Sequence, residues 1–382
     1  MEITGIICEY NPLHLGHKKQ LDTVRENFGR ESGIVCLMSG NFVQRGAPAI
    51  VDKSLRAAAA IACGADLVLE LPVTASLSSA EGFAAEGVRI LSPFCDRLCF
   101  GAECADENAL NTTARALLSP EFKEHLRIYL DEGISFPAAR QKALEAMGVP
   151  GDLLTAPNNI LGVEYCKAIL SQKSTMRPYP ILREGSYHDD VADRENPSAT
   201  AVRSLMERKQ NWQSYIPEAA LPYFSGAALH ALSLGERAVL GKLRTLPDEA
   251  FSALPGGSEG LWRKFMHACR KETSLSAIAE ATKSKRYTRT RIDRMLLCAF
   301  LDITQEMCST PAPYVRVLAL NDRGREILKL ARKSGTFVNA GEARQEPYQL
   351  LENRCGDLYG LFSETPEPPG AESRRRLHYK PL

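Results

Sequence analysis

Ile3-Thr4-Gly5-Ile6-Ile7-Cys8-Glu9-Tyr10-Asn11-Pro12-Leu13-His14-Leu15-Gly16-His17 opens the chain. Its first six positions are apolar and largely β-branched, which predicts a strand buried on both faces. A Pro-containing bend follows, and from 16 to 28 the spacing turns helical, with Leu21 and Val24 inward. Strand, bend and helix in such short order predict the first unit of a parallel α/β sheet. The bend carries chemistry of its own. His14 and His17 stand three apart and share one face of the opening helical turn. Gly16 between them lets a ligand lie against backbone, and the amino end of the helix favours an anion. A pair of surface histidines is one plainer alternative. A metal pair is another, although helical metal pairs stand at i, i+4 with an acidic third ligand.

The same alternation continues along the first half. Strands are predicted at 33–38, 65–72, 97–101 and 176–182, with helices at 53–63, 79–91, 106–118, 120–131, 135–147 and 159–171. Ligands in such sheets sit beyond the carboxyl ends of the strands, here 9–17, 39–46, 70–72 and 101–103, all rich in Gly, Pro or polar residues. Beyond 198 the pattern is almost wholly helical, over 198–208, 217–231, 235–244, 259–270, 274–282 and 288–308. One more strand is predicted at 312–320 and one more helix at 323–334. The expected fold class is α/β: a Rossmann-like parallel-sheet domain over 1–208, then a mainly helical domain over 209–364. Residues 365–382, rich in Pro and Arg, are expected to form a flexible basic tail.

Composition bounds the function. A length of 382 residues suits two domains, and 44% apolar with 24% charged residues is ordinary for a soluble globular chain. No apolar run approaches the ~20 residues that cross a bilayer, and no basic leader precedes the first strand, so a cytoplasmic protein without a membrane partner is expected. Eleven cysteines are scattered singly apart from Cys95, Cys99 and Cys104, whose spacing makes no zinc knuckle; free thiols and no bound metal are expected. The net charge of +1 conceals an asymmetry. Residues 1–170 carry 15 Lys and Arg against 21 Asp and Glu, while the remainder carries 32 against 25. A basic second half suggests a polyanionic partner, with chance unevenness as the alternative.

A second segment, Asn196-Pro197-Ser198-Ala199-Thr200-Ala201-Val202-Arg203, gathers hydroxyls and amides at a helix start with an arginine one turn further in. That suits a polyphosphate, although an ordinary Ser/Thr cap has the same look. Taken with His14-Leu15-Gly16-His17, it resembles the HIGH-motif nucleotidyltransferase superfamily, in which an HxGH stretch follows the first strand and an S-S-T-x-I-R-like stretch closes over the phosphates. The chain is more closely similar to the bacterial tRNA(Met) cytidine acetate ligases. That resemblance rests on Glu9-Tyr10-Asn11-Pro12, on 39–46 (Ser-Gly-Asn-Phe-Val-Gln-Arg-Gly) and on 64–72 (Gly-Ala-Asp-Leu-Val-Leu-Glu-Leu-Pro). It extends to 100–103 (Phe-Gly-Ala-Glu), 157–165 (Pro-Asn-Asn-Ile-Leu-Gly-Val-Glu-Tyr) and 285–291 (Lys-Arg-Tyr-Thr-Arg-Thr-Arg). Leu13 and Leu15 stand where Phe and Asn are common, and Ala102 where Ser is common.

The resemblance implies a soluble RNA-modifying ligase. It would adenylate acetate with ATP, aided by Mg²⁺ as counter-ion, and pass the acetyl group to N4 of the wobble cytidine, C34, of elongator tRNA(Met). DNA is not an expected partner. It further implies His14 and His17 as catalytic groups, and ATP contacts from Ile7, Glu9, Tyr10, Asn11, Pro12, Gly16, Gln20, Gly101, Asn159 and Arg183. Ser198, Thr200 and Arg203 would hold the outer phosphates. Gly40, Asn41, Gln44 and Arg45 are candidates for an acetate or cytidine pocket, with a plain turn as the alternative. Lys283, Lys285, Arg286, Tyr287, Arg289, Arg291 and Arg294 place six basic side chains and one aromatic ring within twelve residues, a pattern for phosphates and an unpaired base. A solvated helix face would look the same. Two further acceptors stay open: a protein thiol, as in the citrate lyase ligases, or a mononucleotide, as in metabolic nucleotidyltransferases. A non-catalytic RNA-binding protein is the reading from another class.

Overall fold

The computed structural model describes residues 1–183, 197–339, 341–342 and 347–381. In chain order its strands are β1 (Ile3–Cys8), β2 (Gly33–Ser39), the short hairpin of β3 (Phe42–Val43) and β4 (Ala47–Pro48), β5 (Leu67–Leu71), β6 (Arg97–Ala102), β7 (Arg177–Leu182), β8 (Val315–Leu320), β9 (Phe337–Asn339) and β10 (His378–Tyr379). All but the hairpin join one sheet in the order β10-β8-β5-β2-β1-β6-β7, with β9 also beside β8. From β5 to β7 the strands are parallel. β8 runs antiparallel to β5, and β9 and β10 run parallel to β8. The chain order reverses between β1 and β6, and a doubly wound sheet opens its ligand crevice at that point.

The apolar runs of the sequence explain this arrangement. Along β1 and β2, Ile3, Ile7, Val35 and Leu37 pack under the helices Ala80–Leu91, Glu107–Leu118 and Pro157–Ser171. The alternate residues Ile6, Ile34, Cys36 and Met38 pack on the other face with Leu21 and Val24 of the helix Leu15–Phe28. Each fully buried Ile or Leu contributes roughly 1.5–3 kcal/mol, and a strand apolar on both faces is stable only with helices on both sides. A third core belongs to the helices of the second half, Glu236–Thr245, Leu261–Lys271, Leu275–Thr282, Arg289–Leu301 and Tyr348–Tyr359, and reaches across to Phe42 and Leu77. Among the described residues no helix is long and apolar enough to cross a membrane.

Several expectations need correction. The segment expected as a flexible tail folds back: Ala371–Arg374 is a short helix, β10 joins the sheet, and Glu372 is 1% exposed. The cause is charge. Glu372 pairs with Lys53 at 2.8 Å, Arg316 at 3.4 Å and Arg375 at 3.1 Å, and Arg375 grips Asp52 through both carboxylate oxygens at 2.6 Å. The sheet also crosses the expected boundary at 208, since β8, β9 and β10 come from beyond it. The helix expected over 217–231 is cut to Glu218–Ala220 and Leu221–Phe224, with Gly226 at φ 77° beyond it. That expected over 288–308 stops at Leu301, where Asp302 caps it in the left-handed conformation, and a separate turn covers Gln305–Ser309. The helix Tyr348–Tyr359 was not expected.

Replacing Glu372 with Ala therefore leaves three buried cations short of a carboxylate. A loss on the order of 3 kcal/mol is expected, read as a lower urea midpoint of unfolding. A truly loose tail would leave the midpoint unmoved.

Candidate active site

The sequence of the bend makes its own helix cap. His14, in extended conformation, is the N-cap residue of Leu15–Phe28, and its Nδ1 accepts a hydrogen bond from Gly16 N at 3.2 Å. In return His14 N donates to Nδ1 of His17 at 3.3 Å. This is a capping box built from imidazoles, satisfying amides that a helix start leaves open. The two rings stack with centroids 3.8 Å apart and 27° between planes, and Tyr10 meets His17 edge-on at 5.0 Å. Because each Nδ1 accepts, each neutral ring carries its proton on Nε2. Nε2 of His14 is buried without a hydrogen-bond partner among the described residues. Burial, the neighbouring imidazole and the charges of Arg183 and Arg203 hold His14 well below the usual histidine range. Burial and Arg183 lower His17 to about 3. Both rings are neutral N–H donors at physiological pH.

They face a cleft of about 380 Å³ across the carboxyl ends of β1, β6 and β7. Of the residues expected from sequence, Ile7, Glu9, Tyr10, Asn11, Gly16, Gln20, Gly101, Arg183, Ser198, Thr200 and Arg203 line it with the two histidines. Ser198 caps the helix Ala199–Glu207 through Oγ and Ala201 N at 3.1 Å. Arg203 donates to Asn11 O at 2.7 Å and to Thr200 Oγ1 at 3.1 Å, and Arg45 reaches the same hydroxyl at 3.4 Å. Burial, and next the charge of Arg45, lowers the Arg203 guanidinium. Arg183 is lowered by burial, partly offset by Glu103, with Arg45 again opposing its charge. Guanidiniums gathered against their own repulsion, beside two uncharged donors, favour a polyanion. Asn196 lies outside the described residues.

Other expected residues fall elsewhere. Pro12 is buried and is not among the residues that line the cleft. Asn159 is 5% exposed, and its Oδ1 accepts from Cys104 N at 2.8 Å while Glu103 takes its own N–H. The neighbouring Asn158 lines the cleft and accepts from Arg183 at 3.4 Å. The loop 40–45 divides. Gln44 and Arg45 line the cleft, whereas Gly40 and Asn41 border a much smaller cavity with Lys53, Glu70, Glu352 and Glu372. Asn41 is structural, accepting from Lys53 N at 2.9 Å and donating to Asp52 at 3.2 Å. A Cβ on Gly40 would stand 2.2 Å from the Glu70 carboxylate.

Within the basic run, Arg294 donates to Gln44 O at 3.1 Å, and the backbone of Asp293 and Arg294 packs on Gly46, whose φ is 80°. Arg289 is held by Asp293 and Glu280, and Arg291 by Gly256 O while lying over the Tyr287 ring. Lys283, Lys285 and Arg286 remain exposed.

Two parts of the site were not found from sequence, an aromatic wall and a buried guanidinium. Phe83, Phe100 and Tyr165 line the cleft; Tyr165 lies within the 157–165 stretch, but nothing in its pattern separates it from core. Arg56 is wholly buried in an Ala-rich helix, an anomaly that is visible in the sequence. It donates to Glu9 O at 2.5 Å, Ser39 O at 3.1 Å and Val51 O at 2.8 Å, and also to Gly40 O. Glu9 in turn accepts Gln44 N at 2.7 Å.

Residues 1–371 match the family described as HIGH Nucleotidyl Transferase. The chain is 39% identical over 364 residues to a tRNA(Met) cytidine acetate ligase of Clostridium novyi strain NT, covering 88% of this chain and 89% of that one. To the ligase of the same name from Clostridium acetobutylicum it is 37% identical over 392 residues, covering 96% and 97%. The apo crystal structure of Thermotoga maritima TmcAL superposes with a TM-score of 0.90 at 30% identity over the whole of both chains. TmcAL bound with alpha-thio ATP gives 0.87 at the same identity and coverage.

The neutral histidines set an acid sensitivity. Their folded pKa values lie below the unfolded value, so the unfolded chain binds protons first and stability falls as pH drops from about 6.5 towards about 3. A His14→Asn plus His17→Gln protein keeps capping side chains but does not titrate there. Relative to it, the parent is expected to lose up to about 1.4 kcal/mol per pH unit per histidine in that window and nothing above it, measured by urea unfolding at stepped pH.

Proposed function

The chain belongs to the HIGH nucleotidyl transferases and, within them, to the tRNA(Met) cytidine acetate ligases, and from that premise we propose that it acetylates N4 of the wobble cytidine, C34, of elongator tRNA(Met) in two steps. Cytosine's exocyclic amine is a poor nucleophile because its lone pair is delocalised into the ring, and free acetate is inert as an acyl donor. An adenylate solves the second problem. An acetate oxygen attacks the α-phosphorus of ATP, the bond from that phosphorus to the bridging oxygen breaks, and pyrophosphate leaves. N4 then attacks the acetyl carbon, the bond to AMP breaks, and the amine proton is released. The anticodon loop presents its base without the cost of opening a duplex.

The observation that carries this reading is the imidazole pair. Two Nε2–H donors, uncharged and fixed in tautomer by the helix they cap, stand ready for the charge that builds on the α-phosphate. Ser198, Thr200 and Arg203, with Arg45 and Arg183, would receive the β- and γ-phosphates and release pyrophosphate. Among the described residues no three His, Cys, Asp or Glu side chains gather to hold a metal ion; Mg²⁺ enters the proposal as a counter-ion carried by the triphosphate. The basic segment supports an RNA acceptor because it is joined to the cleft. Its Asp293 and Arg294 seat Gly46, next to Arg45 on the cleft wall. Such a reaction belongs in the cytoplasm, where tRNA is.

Acetate-dependent exchange of labelled pyrophosphate into ATP tests the first step without tRNA. His14→Ala plus His17→Ala is expected to lower it at least 100-fold; undiminished exchange would remove the role given to the histidines. Labelled acetate should then be recovered on tRNA, and its recovery on protein would point to the thiol acceptor instead. Lys285→Ser with Arg286→Ser should weaken tRNA binding and flatten its salt dependence by about one to two phosphates, with exchange unchanged.

A further inference from the structure

The cleft has two chemically different halves. On the side of the sheet covered by Leu15–Phe28 it carries the histidines, Gln20 and the phosphate-facing cations. On the opposite side it is walled by Ile7, Ala80, Phe83, Phe100, Leu161 and Tyr165. The division follows from strand alternation. Ile7 and Phe100 point into the core under the helices Ala80–Leu91 and Pro157–Ser171, whereas their neighbours Cys8 and Cys99 pack towards the other face. Ile7, Phe83, Phe100 and Tyr165 are 8%, 3%, 5% and 2% exposed, so this wall of the cleft is built from core side chains that show it only their edges. Its shape is fixed from behind. Ile7 Cδ1 sits 2.4 Å from where a Cβ on Gly87 would stand, and the Tyr165 ring leans on Phe100 with centroids 5.3 Å apart.

One polar atom breaks this lining. Tyr165 lines the cleft, and its hydroxyl makes no hydrogen bond to any described residue, which leaves its O–H able to donate to a ligand. Burial, with Cys8 and Glu9 nearby, pushes the phenol well above its usual range, so it is a neutral donor. A donor set in an apolar recess, with the amino end of Ala80–Leu91 on the same wall, suits a small carboxylate with a hydrocarbon end.

We propose that this recess is the acyl subsite: it seats the methyl group of the carboxylate against Ile7, Phe83 and Phe100, while Tyr165 Oη–H donates to one carboxylate oxygen. The proposal rests on the function proposed above. In-line displacement supplies the geometric reason. Pyrophosphate departs towards Ser198, Thr200 and Arg203, so the attacking oxygen must come from the opposite side of the α-phosphate, and the recess lies across β1 from those residues. The walls also set specificity, because the aromatic rings leave room for a short chain and resist a longer one.

The experiment is carboxylate-dependent ATP–pyrophosphate exchange, with acetate, propionate and butyrate as the carboxylates, for the parent, Tyr165→Phe and Phe83→Leu. Each variant's melting temperature serves as a check on folding. Tyr165→Phe is expected to raise the acetate KM about tenfold, a factor ordinary for one lost hydrogen bond, with the ATP KM within twofold. Phe83→Leu should raise propionate use relative to acetate at least fivefold. A raised ATP KM with unchanged acetate KM would place the nucleotide in the recess and overturn the assignment. So would unchanged exchange with a raised tRNA KM, which would place the cytosine there. Should either variant melt early, saturation transfer from aromatic protons to the methyl of bound acetate in the parent, with a non-hydrolysable ATP analogue present, decides instead; no transfer overturns the proposal. A parent that exchanges with no carboxylate would refute the proposed function itself, whereas a parent that exchanges while its variants keep their selectivity refutes only the subsite.

Discussion

A buried guanidinium holds this active site together. Arg56 spends its hydrogen bonds on main-chain carbonyls from three places, namely the end of β1 at Glu9, the end of β2 at Ser39 and Gly40, and the approach to its own helix at Val51. Carbonyls at the end of a parallel strand have no ladder partner, and leaving them buried and unmet would cost about 1–3 kcal/mol each. A lysine, with one nitrogen, could not span them. Burial lowers the guanidinium, and helix geometry keeps it in place. Asp52 caps that helix through Ser54 N at 2.8 Å and is itself gripped by Arg375. The loop that carries the histidines and the loop that carries Gln44 and Arg45 therefore share one anchor, and Glu9 ties them a second time through Gln44 N.

Given that anchor, the site works by contrast. One side of β1 is dense with charge and N–H groups; the other is aromatic, with a single hydroxyl. Alternation along two strands, Ile7 against Cys8 and Phe100 against Cys99, creates the contrast without any loop having to reach across. The cleft therefore presents opposite chemistry to two ends of one ligand assembly.

The local parts of this design were legible in the sequence, and the long-range parts were not. β1, β2, β5 and β6 are largely apolar on both faces, so their runs stand out from any background, and the imidazole spacing sat beside the first of them. The histidines' mutual capping was hidden, because the same spacing serves a helix cap, a metal pair or plain surface. Gly40 and Asn41 looked like pocket residues for their type, but type does not reveal that Glu70 and Lys53 lie against them. Arg294 was expected among the phosphate contacts, and nothing in its type reveals that it also donates to Gln44 O. The C-terminal segment misled for a related reason. Pro, Gly and a run of Arg read as a solvated tail, yet Glu372 meets Lys53 and Arg375 meets Asp52, both more than three hundred residues back in the chain. Local composition carries no trace of such a meeting.

The seam between β5 and β8 has a temporal meaning. β5 is made more than two hundred residues before β8, the strand that covers its outer edge. β10, which covers β8 in turn, comes later still. A nascent chain thus carries a bare hydrogen-bonding edge on its sheet while the whole helical half is being made. Edges left open so long invite pairing with a neighbour on the same message. For this fold, closing the sheet is a late folding step that waits on residues far along the chain.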